Sequence, residues 1–230
     1  MRLRTVVALG AAAGWIGWAW LPHLATPWLV RRGPGDRNRL ALTFDDGPDA
    51  SFTPGILDLL RDHRAHATFF LVGERAARAP DLVRRIAGEG HEVANHSWSH
   101  RSLWLCGPRA TEDEVGRAHD CLASLAGRAP RHFRPPWGML NASLFPVLRR
   151  WGERCVLWSV QPEGLRPVDT EILLGHVLTR AHAGAIVDLH DAEGTRGAPE
   201  RLRAALPPML ERLTETGYEL VTVGELLEPA

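Results

Sequence analysis

The chain has 230 residues, enough for one domain with a sizeable core and some extra. Its apolar share of 45% and charged share of 23% are those of a globular protein. Its 27 basic residues, all arginine, balance 27 acidic ones, which removes the case for an electrostatic nucleic-acid binder.

Residues 1–30 read as a membrane anchor or signal segment. Arg2 and Arg4 precede the apolar run Thr5–Leu21, which is near the lower limit for a membrane-spanning helix and longer than most signal cores. Trp15, Trp18, Trp20 and Trp28 suit the headgroup level. The small-x-small triplet Gly17-Trp18-Ala19 falls inside the run, so an uncleaved apolar helix anchored through residues 5–21 is preferred to a cleaved signal, with a buried globular helix third. Arg31, Arg32, Arg37 and Arg39 follow and oppose an outward C-terminus, although long domains translocate despite such charges. The expectation is a membrane-anchored or secreted protein whose domain lies outside the cytoplasm. Residues 31–38 form a polar, turn-rich linker, and 39–230 a single domain.

Within that domain, strand-like runs alternate with helix-like ones, the pattern of parallel β/α units. Arg39–Phe44 is the first strand and Thr53–His63 its helix, with Pro54 in the first turn. Strand Ala67–Leu71, a helix through Asp81–Glu89 and strand His91–Asn95 follow. Thr111 with Glu114 makes a capping-box start for a helix to about Ala126. His132–Arg134 is a short strand, Asn141–Trp151 a helix, Arg154–Trp158 a strand and Thr170–Ala181 a helix. Strand Ala185–Leu189, helix Pro199–Thr216 and strand Glu219–Val223 close the series. The fold class expected is α/β, a single deformed β/α barrel of about seven strands. The cysteines Cys106, Cys121 and Cys155 have no metal-site spacing, and an oxidising compartment would allow a Cys106–Cys121 disulfide.

The unusual residues fall at strand ends. Asp45 and Asp46 follow the first strand, His96 and His100 the third, Arg134 ends the fourth and His190 the sixth. In β/α folds the carboxyl ends of the strands share the face that builds the site. His96 and His100, four apart, would face the same way on a helical turn and bind one metal, with a carboxylate from Asp45-Asp46 completing the set. Zn²⁺, Fe²⁺, Co²⁺ and Mn²⁺ all tolerate two imidazoles and a carboxylate. The other aspartate is then free to act as general base. Taken alone, the first motif would suit a helix-capping turn and the second a pair of surface histidines.

The motifs TFDDGP (Thr43–Pro48), HSWSH (His96–His100) and RPPWG (Arg134–Gly138), with His190 at a strand end, resemble those of the polysaccharide deacetylases, the NodB-homology domain of carbohydrate esterase family 4. The match in order and spacing covers about residues 39–225. The resemblance implies a metal-dependent deacylase, foremost an N-deacetylase, of a cell-envelope or other polysaccharide. It implies Asp45 as base, Asp46, His96 and His100 as ligands of one divalent ion (zinc first, then cobalt, iron, manganese or nickel), and Arg134 as the residue orienting the base. The Trp137 N–H takes the place of an oxyanion donor, Pro135 and Trp158 line the substrate side, and His190 is the general acid. A carbohydrate is the one partner implied; no nucleic acid and no obligate protein partner is expected.

Two departures from the family pattern fall together. The family keeps an Asp that serves the acid histidine in a fourth motif, where this chain has WSVQPEGLRP with Gln161 and Glu163. It also keeps a Leu two places before that histidine, where this chain has Asp188. Strand residues two apart share a face, so Asp188 is expected to hydrogen-bond His190 and raise its pKa. The alternative gives that role to Glu163 and leaves Asp188 to an arginine or water. A polar residue in place of Leu also makes a formyl or other acyl group a candidate. Trp158 is either an apolar wall of the acyl pocket or a core aromatic. Two further functions stay open: a deformylase or deacylase of a lipid-linked amino sugar, and a non-catalytic carbohydrate-binding derivative of the fold.

Overall fold

Residues 14–24, 28–164, 166–192 and 196–228 are described by a computed structural model. Its strands are β1 (Leu29–Val30), β2 (Arg39–Asp45), β3 (Thr68–Leu71), β4 (Glu92–Asn95), β5 (His132–Phe133), β6 (Arg154–Val156), β7 (Ile186–His190) and β8 (Glu219–Leu220). The helices are α1 (residues 14–20), α2 (Thr53–Asp62), α3 (Gly73–Arg78), α4 (Pro80–Gly88), α5 (Pro108–Ala126), α6 (Leu144–Trp151), α7 (Thr170–Arg180), α8 (Ala198–Glu215) and α9 (Val223–Leu227).

All pairings are parallel, in the order β1-β6-β5-β4-β3-β2-β7, with β8 added to β2. The sheet curls until the chain leaving β6 reaches β7: Val160 bridges Val187, and the Ser159 N–H donates to the Ile186 carbonyl at 3.0 Å. This is the expected deformed β/α barrel. The α/β order follows from helices that return each strand to the same end of the sheet.

Period-two alternation divides each long strand between two environments. Leu40, Leu42 and Phe44 of β2 pack with Ile56 and Leu57 of α2 and with Leu202 and Leu206 of α8. The alternate residue Ala41 joins Phe70, Ala94, Val156 and Ile186, drawn from five strands, inside the barrel. The inward set of β2 therefore continues as Thr43 and Asp45, and that of β7 as Ile186, Asp188 and His190. Parallel register aligns Thr43 with Asp188 and Asp45 with His190. The apolar floor fills the barrel below, and the polar groups stand on it at the carboxyl ends.

Several expected boundaries move. Sheet pairing reaches back to Leu29–Val30, and the Gly33 N–H donates to the Gly184 carbonyl at 2.8 Å, so part of the expected anchor and linker belongs to the barrel. Among the described residues no helix is long and apolar enough to cross a membrane; most of the 5–21 run lies outside them. The residues of that run that are described do not stand apart: Ala19 is fully buried, and the Ala142 N–H donates to the Trp18 carbonyl at 3.0 Å.

The capping box expected at Thr111–Glu114 does not form. Helix α5 starts at Pro108, whose missing N–H costs nothing at a first turn, and Glu114 instead accepts from the Ser99 N–H at 2.8 Å. The box is found at Thr222–Glu225, opening α9, which closes the barrel floor with Val223 and Leu226. Cys106, Cys121 and Cys155 are all free thiols.

Candidate active site

Four strand ends deliver the site. Asp45 is the last residue of β2, His96 follows β4, Arg134 follows β5 and His190 ends β7. Of the five non-glycine residues with positive φ among those described, four lie here: Asp46 (72°), Ser97 (69°), His100 (56°) and Trp137 (54°). Such backbone is costly for L-residues and persists where the surroundings hold it in place. His96 and His100 consequently do not sit on a helical turn as expected. They lie on a loop, brought together by left-handed residues and by the Ser97 hydroxyl, which accepts from the His100 N–H at 3.1 Å.

Asp46 Oδ1 is 2.8 Å from His100 Nε2 and 3.3 Å from His96 Nε2. The three donor atoms lie within 4.8 Å of one another. Burial works against ionisation of Asp46, but hydrogen bonds and charge from His100 and His96 prevail and hold it well below the usual carboxylate range. His96 directs Nδ1 at the Arg134 carbonyl, 2.7 Å away, which fixes the tautomer that leaves Nε2 free to ligate. Two imidazoles and an ionised carboxylate converging in this way fit one divalent ion.

Asp45 stands between that set and Arg134. Its Oδ1 is 2.6 Å from Arg134 Nη1, and its Oδ2 is 3.8 Å from His96 Nε2. Arg134 has no exposed surface and would be expensive to bury unpaired. Every guanidinium nitrogen is engaged: Nη1 donates to Thr43, Asp45 and Asp188, Nε to the Val156 carbonyl and Nη2 to the Leu157 carbonyl. The Phe70 ring lies beneath it, 4.1 Å from Cζ, and Trp158 beside it at 5.5 Å. Trp158 is thus half-buried and in contact with both core and site.

Asp188 points into this cluster as the alternation requires, but its hydrogen bond goes to Arg134 at 3.3 Å and not to His190. Oxygens of Asp45 and Asp188 and a ring nitrogen of His190 lie within 4.8 Å of one another. Burial and the Asp45 charge push the Asp188 carboxyl up to about 7, against the pull of His190 and Arg134. Burial lowers the His190 pKa, but the carboxylates of Asp188, Asp45, Asp46 and Glu163 outweigh it and leave it raised. Glu163 does not replace the missing Asp by contact: its Oε1 accepts from Arg201 Nε at 2.6 Å.

Trp137 is half exposed, and its ring packs on His100 with centroids 4.5 Å apart; Pro135, immediately before the turn, is buried.

Three positions escaped the sequence reading. Thr43 accepts from Arg134 at 2.7 Å and donates to the Val187 carbonyl at 2.6 Å; its place two residues before Asp45 was the available signal. Asn95 accepts from the Ser97 N–H at 3.0 Å and donates to Val115 and Glu153, pinning the histidine loop. Asp191 is fully buried, accepts from the Thr53 hydroxyl, and fills the space that a Cβ on Gly47 would need.

Residues 32–156 match the family model described as polysaccharide deacetylase. The chain is 37% identical over 204 residues to a peptidoglycan-N-acetylglucosamine deacetylase of Bacillus cereus, covering 88% of this chain and 94% of that protein. A chitooligosaccharide deacetylase of a Bradyrhizobium strain is 41% identical over 166 residues, 70% of this chain and 76% of that one. Among solved structures, a peptidoglycan N-acetylglucosamine deacetylase in complex with a hydroxamate (an N-oxidanyl benzamide) superposes with a TM-score of 0.84 at 32% identity, over 92% of this chain and 99% of that one.

Proposed function

The chain belongs to the polysaccharide deacetylase family, and from that membership we propose that it removes the N-acetyl group of an amino sugar in a cell-envelope glycan. The observation that carries the reading is the Asp46–His96–His100 donor set standing beside Asp45, Arg134 and His190 on one barrel face.

A divalent ion held by Asp46, His96 and His100, zinc foremost, would polarise the acyl carbonyl and acidify a water. Asp45 takes the proton of the attacking water, and Arg134 holds that carboxylate in place. The Trp137 N–H donates to the oxyanion as it develops, with Pro135 and Trp158 on the substrate side. His190, kept cationic by the carboxylates around it, protonates the departing amine. Asp188 serves His190 by charge, across a short gap, and shares Arg134 with the base.

Acetate release from N-acetylated chitooligosaccharides and from peptidoglycan, with the ion content measured in parallel, tests this reading. Tight sugar binding without release from either glycan would make the chain a carbohydrate-binding derivative of the fold. A second reading concerns the acyl group alone: Asp188 puts a carboxylate where the family resemblance leads one to expect leucine, which favours an N-formyl group, and competition between N-formyl and N-acetyl substrates decides it. The proposed setting is outside the cytoplasm.

A further inference from the structure

The inward faces of β2 and β7 gather a second set of donors beside the first. Parallel register sets His190 against Asp45, and Asp188 one rung below against Thr43. An oxygen of each aspartate and a ring nitrogen of His190 consequently lie within 4.8 Å of one another, the same closeness that Asp46, His96 and His100 show. Some point then stands within about 2.8 Å of all three atoms, and a zinc ion takes imidazole nitrogen and carboxylate oxygen at about 2.0–2.2 Å. Side-chain shifts of less than about 1 Å would close such a cage.

These donors are not spent on one another. Arg134 takes Asp45 Oδ1 and Asp188 Oδ1 through a single nitrogen, and each carboxylate has a second oxygen. Asp188 is 2% exposed, yet among the described residues its Oδ2 has no hydrogen-bond partner, and neither has the ring of His190. A buried carboxylate oxygen left open in this way is costly until a cation or a donor meets it. The charges select the cation. Two carboxylates face the guanidinium and, when it is protonated, His190; a divalent ion replaces the imidazole proton and keeps the cluster compensated.

We infer that Asp45, Asp188 and His190 form a second divalent-cation site, and that an ion there stops the reaction by occupying base and acid at once. The effect on rate rests on the deacetylase reading; the site itself does not. Arg134 and an ion on Asp46, His96 and His100 both oppose further positive charge, so the second ion binds at least about tenfold more weakly than the first. Leucine at 188 would leave two donors of the three, so the second site comes with the carboxylate that this chain carries there.

The test uses the full chain with zinc as the probe. Because the weaker ion washes out on desalting, ions bound per chain are counted at equilibrium, by dialysis against rising free zinc and elemental analysis. The unaltered protein is expected to fill in two steps. Asp188→Leu and, separately, Asp188→Asn should lose the weaker step and keep the tighter; Asp46→Ala should lose the tighter and keep the weaker. Acetate release from N-acetylated chitooligosaccharides should fall as the weaker step fills, and the residual activity of Asp188→Leu should not fall over that range. A single step in the unaltered protein, or a second step that both Asp188 variants retain, overturns the site. A second step that leaves the rate unchanged overturns the inhibition. No acetate release at any zinc level would defeat the deacetylase reading while the count still decides the site, so the two can fail independently.

Discussion

Asp188 Oδ1 lies 3.3 Å from Arg134 Nη1, the nitrogen that also holds Asp45 Oδ1 at 2.6 Å. One buried cation therefore serves two carboxylates, the second of which stands where the family resemblance leads one to expect leucine. Asp188→Asn and Asp188→Leu test what that second carboxylate does. With its charge removed, the His190 pKa falls, because Asp188 is the largest of the influences raising it. The basic limb of the kcat/KM profile, where the acid loses its proton, should move to lower pH in both variants. A basic limb and a rate that both stay where they are would end the idea that Asp188 supports the acid.

Asp46→Ala should strip the protein of its divalent ion, read by elemental analysis. Activity should fall by more than the roughly 10–100-fold typical of losing an outer-shell partner. Chelation of the unaltered protein should do the same, and zinc or cobalt should restore it. Full activity in a metal-free Asp46→Ala protein would remove the assigned site.

Arg134→Met exchanges the buried guanidinium for an apolar side chain and leaves Asp45 and Asp188 without their cation. Breaking a buried ion pair from one side costs about 3–5 kcal/mol, measurable as a shift in urea midpoint at unchanged m-value. Arg134→Lys keeps the charge but not the fork that reaches five acceptors, so it should recover stability only in part and activity less. A wild-type midpoint for the Met variant would mean that the network is energetically idle.

Asp191 offers a sign test for buried charge. Burial and the nearby Asp46 and Asp45 push its carboxyl up to about 7, against the Thr53 hydrogen bond. A group raised in this way contributes stability fully below its unfolded pKa, near 3.9, and the contribution is lost as pH rises from there through about 7. Asp191→Asn keeps an acceptor for Thr53 and carries no charge. Its stability relative to the parent, both metal-free, should therefore grow between pH 4 and 7 and level off above, by on the order of 1–3 kcal/mol. A difference independent of pH would show that the carboxyl is ionised throughout.

The parts of the fold legible in the sequence were those written in alternation. Leu40, Leu42 and Phe44 against Ala41, Thr43 and Asp45 betray both the strand and its inward face. The strand ends placed Asp45, His96, Arg134 and His190 together because a parallel sheet allows little else. Local signals failed where tertiary contacts supplied the partner. Glu114 looked like half of a capping box because its actual donors, the N–H and hydroxyl of Ser99, are fifteen residues away. Strand β1 was hidden because two residues carry no period, and Leu29–Val30 sit in a Trp-rich run that resembles a lipid-facing one. The bond from Asp188 to Arg134 was likewise out of reach: spacing showed that Asp188 shares a face with His190, but not which neighbour across the barrel would claim it.

Asp45 and His190 are register partners on adjacent parallel strands. Neighbouring strands run about 4.8 Å apart whatever side chains they carry, so the gauge between proton acceptor and proton donor is cut into the backbone itself. A side-chain substitution leaves that backbone gauge in place, and a slip of one residue would turn the slipped strand's side chain to the other face. What remains adjustable is the rung below, where Thr43 faces Asp188. On the donor's side that rung carries Asp188, so charge stands there in place of the bulk that the family resemblance leads one to expect.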